Sequence, residues 1–205
     1  MIIILDYGLG NIGSILNMLN RIGALAKISS DLHEVEKADK LILPGVGAFD
    51  YGMQQLRENG FVELLQQKVL SQKIPILGIC LGAQLFTNES EEGECKGLGW
   101  LDARVKKFQF SEKNSSLKVP HMGWSQVVLS KKSKLFHEMY ENPRFYFVHS
   151  FYMEATVEND VFLKSCYGNE FVCGFEKENI LGVQFHPEKS HKYGMKLLKN
   201  FAELY

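Results

Sequence analysis

A cysteine framed by glycines invites covalent chemistry. The run Gly78-Ile79-Cys80-Leu81-Gly82 closes a short apolar stretch at residues 76–79, and apolar residues at helical spacing follow it. A strand, a tight turn and a helix with a reactive residue at the bend form a nucleophile elbow. The bend lifts the thiol clear of the sheet, and the glycines relieve crowding where a side chain would clash. The helix that follows turns its N-terminal N–H groups towards the sulfur, an electropositive setting for a nucleophile. Outside such a frame a lone cysteine reads as a small buried hydrophobe. A nucleophile also needs a base and a group to orient the base. Gln184-Phe185-His186-Pro187-Glu188-Lys189-Ser190 offers both. In an extended stretch, residues two apart project to the same side, so Glu188 reaches the His186 ring, with Pro187 stiffening the link. The carboxylate then holds the tautomer and leaves the other ring nitrogen to face the sulfur. Cys80, His186 and Glu188 together are a thiol triad for acyl transfer.

The elements around these residues follow from patterning. Residues 2–5 are a continuous apolar run, expected of a central strand buried on both faces. A glycine-rich turn leads into a helix over 11–22 with Ile12, Ile15, Leu16, Leu19 and Ile22 on one stripe. Gly8-x-Gly10-x-x-Gly13 has the spacing of a dinucleotide loop, with Asp31 roughly where a ribose-binding acid stands, but the motif is permissive and the chain short for a cofactor domain plus a substrate domain. Short strands at 25–28 and 40–43 precede Pro44-Gly45-Val46-Gly47. Glycines at a strand end let the backbone aim N–H groups at a ligand; beside an elbow, that is what an oxyanion requires, although the same pattern serves an ordinary strand-to-helix turn. Helices are expected at 49–58 and 61–71, and a polar loop at 88–99. Strands are expected at 103–110, 126–129 (entered through 120–124), 144–151, 161–167, 171–176 and 181–185, and an amphipathic helix at 191–204. Residues 111–116 read as a mobile polar tip. The pattern predicts one domain over 1–205, a three-layer α/β fold with a mostly parallel sheet and an appended antiparallel portion.

Composition narrows the function classes. The 205 residues carry 45% hydrophobic and 23% charged side chains, ordinary for a globular chain, and a net charge of −1, against a nucleic-acid surface. No apolar run approaches the roughly 20 residues of a membrane span. The chain opens on Met1-Ile2-Ile3-Ile4-Leu5 without a basic region or cleavage site, so a first strand is expected and not a signal peptide. Cys80, Cys95, Cys166 and Cys173 have no close metal-ligand spacing, and a reduced cytoplasmic protein without a metal is the simplest reading.

The elbow and the His-Pro-Glu run resemble the class I, or triad, glutamine amidotransferases. Asp6-Tyr7-Gly8-Leu9-Gly10-Asn11, Pro44-Gly45-Val46-Gly47-Ala48-Phe49 and Pro120-His121-Met122-Gly123-Trp124 resemble one branch of that family, the glutaminase subunits of imidazole glycerol phosphate synthase. The resemblance runs nearly end to end. It implies a three-layer α/β/α fold, hydrolysis of glutamine by Cys80, His186 and Glu188, and no cofactor. Backbone N–H groups of Val46, between Gly45 and Gly47, and of Leu81 would hold the oxyanion. Gln84 and the backbone of Ser150 and Phe151 would contact the substrate, and His149 beside them also reads as a satisfied core histidine. The implied partner is a (β/α)8-barrel cyclase, which takes the ammonia through a tunnel and forms imidazole glycerol phosphate and AICAR in histidine biosynthesis. Met122, Trp124, Lys189 and Asn11 would face that partner.

The sequence departs from the branch at Ser125, where Asn is usual, at Ala83, where Met is usual, and at Gly13, where a larger residue is common. The triad is intact, and the departures fall mainly where a partner would dock. That opens a second reading, a paralogue supplying ammonia to another synthase, such as one for surface-sugar amidation. A third, a catalytically silent partner-binding subunit, runs against the intact triad.

Overall fold

The structure, a computed structural model, describes residues 1–110 and 117–205. The expected tip at 111–116 lies outside the described residues. Five strands form a parallel sheet in the order β2 (Ala26–Ser29), β1 (Ile2–Leu5), β3 (Lys40–Gly45), β4 (Ile76–Cys80) and β12 (Ile180–Val183). From β12 the sheet continues antiparallel through β11 (Asn169–Lys177), β10 (Val161–Tyr167), β7 (His121–Leu129) and β8 (Arg144–His149). A side branch, β9 (Phe151–Ala155), β6 (Ala103–Lys107) and β5 (Glu89–Ser90), hangs from β11.

The apolar runs of β1, β3, β4 and β12 are buried on both faces because side chains alternate between two helical layers. Ile2, Ile4, Ile42, Leu77 and Val183 face α1 (Ile12–Arg21) and α6 (His191–Leu204), meeting Ile15, Leu19, Leu197 and Phe201. Ile3, Leu5, Leu41, Leu43 and Ile76 face the other way. There they meet α2 (Leu32–Glu36), α3 (Phe49–Glu58) and α4 (Phe61–Leu65), which runs on into a π-helical turn at Gln66–Ser71. Each large side chain so buried contributes roughly 1.5–3 kcal/mol. No helix among the described residues is long and apolar enough to cross a membrane.

Several local expectations change: the loop expected at 88–99 contains β5, and the strand expected at 103–110 ends at Lys107. The strand expected over 144–151 breaks at Ser150, where the chain leaves β7 and, as β9, pairs with β6 from Ala103 to Lys107. The strand expected at 126–129 begins at His121, because the chain changes partner along its length, pairing with β8 over residues 121–126 and with β10 over 127–129. The helix after the elbow, α5 (Leu81–Gln84), is a single turn.

Candidate active site

Strand β4 delivers Cys80 at its last residue, in a conformation (φ 54°, ψ −113°) that non-glycine residues rarely adopt. Its surroundings require glycine. A Cβ on Gly82 would lie 1.9 Å from the Leu43 carbonyl oxygen, and one on Gly78 2.6 Å from the Phe86 ring. The parallel register of β3 and β4 sets Gly45 level with Cys80, so Val46 emerges beside Leu81. A Cβ on Gly45 would lie 2.8 Å from the Gly82 nitrogen, and Gly47 has a φ of +111° that suits glycine. Tyr7 braces this corner by donating its hydroxyl to the Pro44 carbonyl at 2.6 Å.

Strand β12, paired with β4, carries the chain on to His186. His186 Nδ1 lies 2.8 Å from Glu188 Oε1, with both side chains at most 2% exposed. The expected neighbours therefore meet, but not along an extended strand. His186 is extended, and a 3-10 turn at Pro187–Lys189 begins at once, its first φ fixed by proline. Ser190 locks that turn by donating its hydroxyl to the His186 carbonyl (2.6 Å). His186 Nε2 is buried and has no hydrogen-bond partner within the described residues.

Cys80 and His186 open on one cavity of about 380 Å³, lined also by Val46, Gly47, Leu81, Gln84, Glu92, Pro120, Val148, His149, Ser150 and Phe151. The elbow, the glycine loop and residues 148–151 thus meet at this cavity. Gln84 is buried and donates to the Phe151 carbonyl (3.2 Å) and to Gln184 Oε1 (3.0 Å). Sequence reasoning missed Gln184 and Glu92. Gln184 donates to Cys80 Sγ at 3.7 Å, and its position two before His186 was the available signal. Glu92 sits among several acids of an irregular loop, none distinguishable by sequence; it accepts from the Phe49 N–H at 2.9 Å and presents a carboxylate to the cavity.

Glu188 backs onto a second, smaller hollow lined by Ser14, Asn17, Met18, Arg21, Lys189 and His191. Trp124, 42% exposed, stacks on His191 with ring centroids 5.5 Å apart. The Lys189 ammonium lies 5.8 Å from the Tyr146 ring centre. Asn11 is exposed at the head of α1, and Met122 is exposed on β7. The departures from the branch pattern do not all lie on this surface. Ala83 is fully buried beneath the elbow, within 3.1 Å of where a Cβ on Gly182 would stand. The Gly8–Gly13 turn packs Gly10 against Pro44, and Asp31 caps α2 by accepting from the His33 N–H (2.8 Å), ordinary structural roles for both.

The family model for glutamine amidotransferase class-I matches residues 3–204. The chain belongs to that family. It is 53% identical over 203 residues to imidazole glycerol phosphate synthase subunit HisH 2 of Methanococcus maripaludis, covering 99% of each chain. It is 50% identical over 204 residues to the HisH 2 subunit of Pseudomonas aeruginosa and 47% identical over 204 residues to the HisH subunit of Leptospira interrogans, in both cases over 100% of each chain. Among solved structures, PurLQS from Thermotoga maritima (TM-score 0.68, 19% identity, 97% of this chain and 95% of that one) shares the fold. So does the glutaminase domain of CTPS from Trypanosoma brucei with bound acivicin (TM-score 0.66, 16% identity, 98% and 92%).

In this amidotransferase, burial works against a charge on His186, yet the neighbouring Cys80 and the carboxylate of Glu188 outweigh it and raise its pKa to about 10. An imidazolium held between a sulfur and a carboxylate has a proton ready for a leaving nitrogen. Cys173, by contrast, is a fully buried thiol whose pKa burial pushes well up, the setting of an unreactive cysteine.

Proposed function

We propose that residues 1–205 form one glutaminase domain, the ammonia-producing subunit of an imidazole glycerol phosphate synthase acting in the cytoplasm. The observation that carries this reading is the 2.8 Å contact of His186 with Glu188 beside Cys80, in a cavity that also holds Gln84, Ser150 and Phe151. Cys80 attacks the side-chain amide carbon of glutamine, and the backbone N–H groups of Leu81 and Val46 stabilise the oxyanion. His186 gives its proton to the leaving nitrogen, releasing ammonia and leaving a thioester. It then draws a proton from water, which cleaves the thioester to glutamate. Gln84 and the Ser150–Phe151 backbone hold the substrate's amino-acid end, and the Glu92 carboxylate suits its ammonium. Glu188 orients His186 and stabilises its charge.

Glu188→Gln should therefore retain more activity than His186→Ala, since an amide still accepts from Nδ1 while stabilising the imidazolium less, whereas in His186→Ala the base itself is gone. Glutamate release by the two variants, with folding checked by circular dichroism, makes the comparison. Equal and complete loss in both would assign Glu188 a larger part.

The partner in this reading is a (β/α)8-barrel cyclase seated on the surface of Asn11, Met122, Trp124 and Lys189, next to the hollow behind Glu188. Free glutaminase activity wastes glutamine, and the oxyanion donor Val46 lies between two glycines, where a peptide can reorient. A partner that binds the active arrangement better than the idle one couples the two sites. The isolated chain should hydrolyse glutamine slowly. Its cognate cyclase with a nucleotide ligand should raise the rate more than about tenfold, or about 1.4 kcal/mol of differential stabilisation. Trp124→Ala and Lys189→Ala should weaken that stimulation. Full speed in the isolated chain would overturn the coupling. Two of the similar subunits are named HisH 2, which favours keeping the paralogue as a second reading. Stimulation only by a cyclase-like protein outside histidine biosynthesis would select it.

A further inference from the structure

A line of hydrogen bonds runs from the sulfur, behind the Ser150–Phe151 wall of the cavity, to strand β7. Gln184 Nε2 donates to Cys80 Sγ, and Gln84 Nε2 donates both to Gln184 Oε1 and to the Phe151 carbonyl. From the other side, His149 Nδ1 lies 2.7 Å from that same carbonyl. His149 Nε2 lies 2.9 Å from His121 Nδ1, and His121 Nε2 lies 2.8 Å from Ser125 Oγ.

Chemistry fixes the direction of each bond. A carbonyl only accepts, so His149 carries its proton on Nδ1. The Nε2 of that neutral ring accepts, so His121 also carries its proton on Nδ1, and its Nε2 accepts from the Ser125 hydroxyl. Burial keeps both rings uncharged near neutrality: it lowers the pKa of His149 to about 3 and that of His121 to about 4. Aromatic packing holds the rings in place, since His121 lies between Phe147 (centroids 4.9 Å) and Tyr167 (4.1 Å). At Ser150 the chain passes from β8 to β9, so regular strand pairing is interrupted where the cavity wall must be firm.

We propose that His121 and His149 are positioning residues for the substrate: the Ser125–His121–His149 relay pins the Phe151 carbonyl, and with it the backbone that faces the substrate. The same relay ties that backbone to the strand bearing Met122 and Trp124. The inference rests on the glutaminase reading for its functional meaning, but the relay itself does not.

Nitrogen-15 histidine labelling of the full chain reads the tautomers directly. Both rings should be in the Nδ1–H form at pH 7; an Nε2–H form at either one overturns the relay. Inactivation of Cys80 by 6-diazo-5-oxo-L-norleucine then tests positioning in the free chain. His121→Phe keeps an aromatic ring in the stack but leaves His149 Nε2 without a donor. It should raise the half-saturating concentration of the analogue about tenfold, as expected for one buried hydrogen bond, and change the maximal inactivation rate less than about twofold. His121→Asn restores an N–H near the lost Nδ1 and should recover most of that shift. Equal shifts in the two variants, or none in His121→Phe, would overturn the positioning role. Failure of the unmodified chain to react at Cys80 even with its cognate cyclase and nucleotide ligand present would count instead against the glutaminase reading, and the tautomers would still decide the relay.

Discussion

Cys80→Ala abolishes glutamine hydrolysis, with an expected fall in rate of at least about 10⁴-fold, as for removal of the nucleophile from other acyl-transfer triads. The expectation follows from the elbow, which spends an unfavourable backbone conformation on presenting this one side chain to the cavity. The other three thiols have no such setting. Cys173 is fully buried, Cys166 is exposed on β10, and Cys95 is tied through its N–H to Asp50 at 3.0 Å. Cys95→Ala, Cys166→Ala and Cys173→Ala should each hydrolyse glutamine at close to the unmodified rate. A glutamine-analogue electrophile should label Cys80 alone, as read by mass spectrometry of the peptides. An active Cys80→Ala chain, with label on another cysteine, would remove Cys80 from the mechanism.

Gly82→Ala should damage the fold severely. The added Cβ would lie 1.9 Å from the Leu43 carbonyl oxygen, far inside any real contact. That carbonyl cannot retreat easily, because Leu43 pairs with Gly78 in the parallel β3–β4 ladder and both strands lie in the fully buried centre of the sheet. Overpacking against a fixed backbone costs about 3 kcal/mol or more. Urea unfolding should show a loss of that size, or the variant should fail to accumulate as folded protein. Gly13→Ala is the contrasting case, since a Cβ there meets nothing within 4 Å and the residue lies in helix α1. It should stabilise the chain by up to about 1 kcal/mol. Equal stability of the unmodified chain and Gly82→Ala would mean that the elbow relaxes, and that its glycine is not required by packing.

The sequence by itself determined what depends on near neighbours in the chain. The elbow at Cys80 was legible because glycines two residues either side of a nucleophile have a local steric meaning. Glu188 was legible as the partner of His186 because only Pro187 separates them. The contact forms through a 3-10 turn and not an extended strand, but over so short a span either geometry brings the groups together. The buried strands at 2–5 and 76–79 announced themselves as apolar runs, and 40–43 as a short strand ahead of the glycine loop.

Tertiary structure decided everything that depends on which distant strands lie side by side. The β3–β4–β12 order brings Val46, Cys80 and His186 to one edge, and no local pattern encodes that order. The break at Ser150, the long strand β7 and the His121–His149 pair all follow from pairing choices between segments distant in the chain, made by the whole sheet at once. Glu92 is the clearest instance: its residue type is shared by its neighbours in the loop, and only the folded chain places it, and not Glu91 or Glu94, on the cavity of Cys80. A side chain's chemistry is carried in the sequence, but its neighbours are chosen by packing, and packing is a property of the entire chain.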